Sequence, residues 1–268
     1  MLKNSARTTT GAVYNCSDMD NANPQLNSHG DRCSSPTVKE GLSTDTEPSL
    51  TVGLLPPLHQ HSISASEEFA NSLSHGLGLV LAIAALPILV LSAVRIGHVR
   101  LVVGASVFGG AMVLLYLAST LYHALTHEGA KRVARIFDHS AIFLLIAGTY
   151  TPFALGVLRG PWGWTMLVIV WGLALIGITM KAFAGPRHSW ISLVLYLVMG
   201  WMAVVAVKPI LQLVPTPGIL WILAGGIAYT GGLTFFAAHR LRYSHFIWHL
   251  FVIAGTTCHF FAVLWYST

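Results

Sequence analysis

Beyond residue 62 the chain is a series of seven apolar runs, at roughly 72–94, 101–123, 139–158, 162–180, 190–207, 218–238 and 245–266. Each is close to the ~20 residues a helix needs to cross ~30 Å of hydrocarbon. Buried strands are the competing reading of an apolar run, but runs of this length and mutual similarity predict helices. Gly160-Pro161, Gly185-Pro186 and Pro215-Thr216-Pro217-Gly218 break the pattern between runs. The expected fold is an all-α membrane protein, a seven-transmembrane helix bundle spanning residues 63–268. Gly225-Gly226 and Gly231-Gly232 suit close helix packing in lipid.

Composition agrees. Hydrophobic residues make up 54% of the chain and charged residues 9%, against about 25% charged in an ordinary soluble domain. Six of the ten acidic residues lie in the first 50 positions, and none follows Asp138. The net charge of +5 therefore reads as loop charge facing an anionic leaflet, and no nucleic-acid partner is expected. Residues 1–62 are rich in Ser, Thr, Asn, Asp and Gly. They bury too little apolar surface to order themselves and are expected to form a disordered polar tail ending near Pro56-Pro57. No apolar core follows Met1, so a signal peptide is not expected there. Cys16, Cys33 and Cys258 include no CxxC pair. Neither a thiolate metal site nor a disulfide framework is expected.

Orientation follows from Lys and Arg in short loops. One side carries Lys131, Arg132, Arg135, Lys181, Arg187, Arg240 and Arg242; the other carries Arg95, Arg100, Arg159 and Lys208. The richer side includes the N-terminus, so the N-terminus is expected in the cytoplasm and the C-terminus outside.

That topology brings polar residues from distant segment ends to one depth. Glu67, Asn71, Ser74 and His75 open the first segment. Ser119 and His123 close the second, Asp138 and His139 open the third, and His245 and His249 open the seventh. Ionisable groups near a span normally face the bundle interior and pair. Histidines 245 and 249 are four apart, on one helix face. With His123 they supply the three protein ligands typical of a catalytic zinc. Zinc is the expected cofactor, although the donor set leaves other divalent ions open. Asp138 is placed to hold a metal-activated water or act as general base. Ser119, one turn before His123, is placed to hydrogen-bond that water or a substrate oxygen. The bland alternatives are interfacial histidines and an Asp138–Arg135 pair. Glu67, Asn71 and His75 read as a capping and inter-helix cluster, with support of the metal ligands as the alternative. His127 and His139 read as interfacial. His98, His188 and His239 lie in or beside loops, and His59 and His61 lie in the tail. His259 is about 15 Å further along the last helix than His249. It cannot share their ion, and reads as a core histidine rather than part of a substrate cavity.

Glu67-xxx-Asn71-xxx-His75-Gly, Ser119-xxx-His123, Asp138 and His245-xxx-His249 before His259 together resemble the hemolysin III family, within the progestin and adipoQ receptor (PAQR) family. The resemblance covers about residues 64–268. Arg242 stands where that family leads one to expect a proline. The resemblance implies zinc held near the inner face by His123, His245 and His249, with Ser119 and Asp138 beside it. It implies kinship with membrane hydrolases of lipid amides. It further implies a multi-pass protein of the cell (inner or plasma) membrane of a bacterium, with membrane lipids as partners and a role in lipid homeostasis. Two other functions stand beside the hydrolase: a membrane-state sensor with structural zinc, and a cytolysin. The seven expected spans and the expected lack of a signal peptide speak against a secreted pore former.

Overall fold

The computed structural model of the chain describes residues 64–184, 189–238 and 241–268. The polar tail lies outside the described residues, as do Cys16, Cys33, His59, His61, Arg187, His188, His239 and Arg240. The described secondary structure is helical, without strands: α1 Ala65–Ile96, α2 Val99–Ala124, α3 Glu128–Leu155, α4 Pro161–Ala184, α5 Ser189–Gly200, a 3-10 segment Met202–Ala206, α6 Val207–Leu213, α7 Thr216–Ala237 and α8 Ser244–Tyr266. Seven spans are long and apolar enough to cross a membrane, the fifth being the composite Trp190–Leu213.

Local chemistry explains the boundaries. Ser64 caps α1 by accepting from Glu67 N–H, and the Glu67 carboxylate accepts the Ser64 N–H in return at 2.8 Å. This reciprocal box satisfies two amides that the first turn leaves unpaired. Gly97 ends α1 at φ 84, a left-handed conformation that costs glycine nothing. α3 starts well before residue 139, because the His127 imidazole accepts from Ala130 N–H at 3.3 Å and caps it. Lys131, Arg132 and Arg135, read from sequence as loop charge, therefore stand on the first turns of α3. The fifth span breaks near Gly200 for a different reason. The α-helical ladder gives way to the 3-10 segment Met202–Ala206, and Pro209 further on has no N–H for the Val205 carbonyl. Tyr150 of α3 repairs the break: its hydroxyl donates towards the Met199 and Gly200 carbonyls at 2.9 and 2.8 Å and accepts from Ala203 N–H at 3.0 Å.

Chain neighbours pack most closely, α1 on α2, α2 on α3, α3 on α4 and α7 on α8, while α8 also returns to α1. Small residues set these distances. A Cβ on Gly104 would lie 2.7 Å from Pro152 Cα, so α2 and α3 touch backbone to backbone there. Phe108, Met112 and Phe143 fill the core. Leu73, Leu77, Val80, Leu114 and Ile176 are among many large apolar side chains turned outward, as lipid allows and water does not. One end of the bundle thus collects the start of α1, the end of α2, the start of α3 and the start of α8.

Candidate metal centre

His123, His245 and His249 each offer a ring nitrogen, and these atoms lie within 4.8 Å of one another. The group joins α2 to two successive turns of α8. His123 Nε2 and His245 Nε2 face each other at 3.2 Å. The His245 and His249 ring centroids are 4.6 Å apart.

Neighbouring groups fix two of these rings. His123 Nδ1 lies 2.6 Å from Glu68 Oε2. An ionised carboxylate only accepts, so Nδ1 donates and Nε2 is left with its lone pair. Glu68 is itself held by Lys131 Nζ at 2.7 Å. His249 Nδ1 lies 3.2 Å from the Asn71 carbonyl and 3.1 Å from Ser74 Oγ, whose own proton goes to that carbonyl at 2.9 Å. Both neighbours accept from Nδ1, again leaving Nε2 as the free donor of a lone pair. Two imidazoles are thereby preset in the tautomer a cation needs, which is the usual work of groups behind metal ligands. The donor set of three imidazoles without a thiolate suits zinc and other borderline divalent ions.

The cluster forms one end of a mostly apolar cavity of about 280 Å³, lined there by Ser119, Asp138, His75 and His139. Ser119 Oγ is buried and makes no hydrogen bond of standard geometry; Asp138 is buried at 6% exposure. Of the sequence-predicted residues, His245, His249, Ser119 and Asp138 line one chamber, and His123 joins them through the histidine group. The alternative reading of Asp138, an ion pair with Arg135, is not met: Arg135 Nε donates to the Tyr122 hydroxyl at 3.0 Å. His139 lines the chamber, its Nε2 4.0 Å from Asp138 Oδ2, rather than standing at an interface.

The first helix divides its duties. Glu67 caps α1 and also accepts the Tyr243 N–H at 2.8 Å, tying α1 to the start of α8. That tie holds Tyr243 at φ 58, where α8 begins without a side-chain cap. Arg242, in the position expected of a proline, places its guanidinium 5.3 Å above the Tyr243 ring. Asn71 and His75 instead serve the histidine cluster. His75 stacks on His249 at 3.5 Å and 12°, and neither of its buried nitrogens has a partner among the described residues. Glu68 escaped the sequence reading, and Lys131 was read there only as loop charge. The available signal was the i, i+3, i+7 face of Glu68, Asn71 and His75.

A family model described as "Haemolysin-III related" matches residues 63–260. "Hemolysin-3" of Bacillus cereus is 48% identical over 200 residues, covering 75% of this chain and 91% of that protein. "Hemolysin-3 homolog" of Bacillus subtilis (strain 168) is 46% identical over 200 residues, covering 75% of this chain and 94% of that protein. The human "Monocyte to macrophage differentiation factor", a PAQR-family protein, is 26% identical over 165 residues, 59% of this chain and 68% of that protein. The match spans most of the chain and the identity approaches one half, and the chain belongs to the haemolysin-III family, related to the wider PAQR family.

Proposed function

We propose that this protein is a zinc-dependent integral membrane hydrolase of a lipid amide or ester. The observation that carries the reading is the placement of three gathered imidazoles, a hydroxyl and a carboxylate at the polar end of an apolar cavity. His123, His245 and His249 would hold the ion. Bound there, zinc supplies Lewis acidity towards a carbonyl oxygen and acidifies water. Asp138 accepts the proton of the attacking water. Ser119 Oγ, which lies beside Asp138 in the chamber lining, donates a hydrogen bond to the carbonyl oxygen as charge develops on it. Glu68 and Asn71 hold the imidazoles in register, and the apolar walls exclude bulk water and receive the acyl chain. α7 packs chiefly on α8 and only lightly on α5 and α6, so a lipid enters most easily between those elements.

The competing sensor with structural zinc requires a closed four-ligand site. Among the described residues the gathered group contains three histidines and not Asp138, which favours a position left for water or substrate. Loop charge supports an N-terminus in the cytoplasm, and the bacterial relatives support a bacterial cell-membrane location.

The test is zinc content and lipid-amide hydrolysis of purified protein, wild type against His245→Ala and His249→Ala. Stoichiometric zinc and hydrolysis in the wild type, with both lost in the variants, is the expected result. Wild-type protein without metal sinks the reading at once; undiminished hydrolysis in both variants removes its catalytic part.

A further inference from the structure

The cavity has a second polar place, far from the histidine cluster. His259 lies in its wall on α8, ten residues beyond His249, hence about 15 Å further along the helix. The ring is buried at 8% exposure and pressed against α7: a Cβ on Gly225 would lie 2.7 Å from His259 Nε2. Nε2 stands 3.3 Å from the Ile222 carbonyl. A carbonyl only accepts, so Nε2 carries the proton and Nδ1 carries the lone pair. Nδ1 is buried and has no hydrogen-bond partner.

The neighbours do not satisfy that lone pair. Thr256 Oγ1 donates to the Val252 carbonyl at 2.8 Å and so accepts from the Tyr229 hydroxyl, also at 2.8 Å. The Tyr229 proton is thereby committed to Thr256, although its ring stands 5.5 Å from that of His259 and lines the same cavity. A buried acceptor left unpaired costs about 1–3 kcal/mol. An amphiphile that placed an O–H there would recover much of that cost, whereas a plain hydrocarbon chain would not.

We propose that His259 Nδ1 is a second recognition point of the cavity, selecting lipids that carry a hydroxyl about 15 Å from the polar group held at the histidine cluster. The ligand class is a hydroxylated long-chain acyl lipid. This rests on the cavity being a lipid site, as the proposed function has it, but needs no hydrolysis. Gly225 keeps the acceptor in place by admitting the ring between α7 and α8, and the Ile222 carbonyl holds it in the accepting tautomer.

Binding of N-ricinoleoyl ethanolamine and N-oleoyl ethanolamine, which differ by one mid-chain hydroxyl, is measured on the purified full chain in nanodiscs through intrinsic tryptophan fluorescence, to which Trp201 and Trp248 of the cavity lining contribute. The wild type is expected to bind the hydroxylated lipid about tenfold more tightly, the share of one recovered hydrogen bond. His259→Phe and His259→Leu are expected to bind both lipids alike, with affinity for the unsubstituted lipid within about threefold of wild type. Equal affinities in the wild type overturn the inference, since water alone would then satisfy Nδ1. A preference that survives in a folded His259 variant also overturns it. If the wild type binds neither lipid, the lipid reading of the cavity fails first and takes this inference with it. The wild-type comparison needs no variant to fold.

Discussion

Each imidazole of the cluster depends on a residue behind it. His123 is oriented by Glu68, which is oriented in turn by Lys131. The carboxylate fixes the tautomer and makes the ring a stronger donor of its remaining lone pair. Glu68→Gln keeps the shape but removes the charge, and an amide can present either an N–H or an oxygen to Nδ1. Zinc affinity, measured by chelator competition, is expected to fall about 10–100-fold in this variant. Glu68 touches no other member of the histidine group, so unchanged affinity would mean that His123 needs no carboxylate. His75 differs from these residues. It contributes a stacked face to His249 while both nitrogens go unpaired, a local cost tolerated next to a site and rarely elsewhere.

At the scale of elements, the cluster exists because α8 starts where α1 starts. Glu67 makes that join, closing the capping box on Ser64 and accepting the Tyr243 N–H. Glu67→Ala removes the box and leaves the entry to α8 unpaired. Losing a cap costs about 0.5–2 kcal/mol, and a lost hydrogen bond to a charged group costs about 1.5–3 kcal/mol. A clear drop in melting temperature is expected in detergent. Ser64→Ala, which keeps the Tyr243 contact, should show a smaller drop; equal drops would deny Glu67 its inter-helix role. The fifth span shows a related economy. The ladder breaks after Gly200, and the Tyr150 hydroxyl of α3 takes up the Met199 and Gly200 carbonyls and the Ala203 N–H at membrane depth.

For the whole molecule, an ion at the cluster would link α2 to α8, and through Glu68 and Asn71 to α1. A ligand that binds the folded state alone stabilises it by about 2.7 kcal/mol at 100 times its dissociation constant. Chelation is therefore expected to lower the melting temperature of the wild type and leave that of His245→Ala unchanged. The same temperature with and without chelator in the wild type would deny the ion a structural share. Orientation is tested independently. In a background without native cysteines, Thr268→Cys should react with an impermeant maleimide on intact cells and Glu128→Cys should not. The reverse pattern would overturn the assignment made from loop charge.

Periodicity, length and the absence of acids after Asp138 were enough to determine the seven spans, because lipid enforces one solution for the backbone of each apolar run. The spacing of His245 and His249 placed both rings on one face of α8 for the same local reason. The boundaries of α3 and the break in the fifth span were less legible. One depends on a histidine acting as a cap at residue 127, the other on a tyrosine of α3 that takes up the carbonyls and amide at the break. Roles that depend on another helix were decided only by tertiary structure. Glu67 and Glu68 are adjacent and chemically alike, yet one turns to Tyr243 and the other to His123. His259 is one more histidine in an apolar run until α7 brings the Ile222 carbonyl to one nitrogen and leaves the other buried without a partner. Sequence spacing sets the face on which a residue stands, whereas its partner depends on which helix is packed against that face.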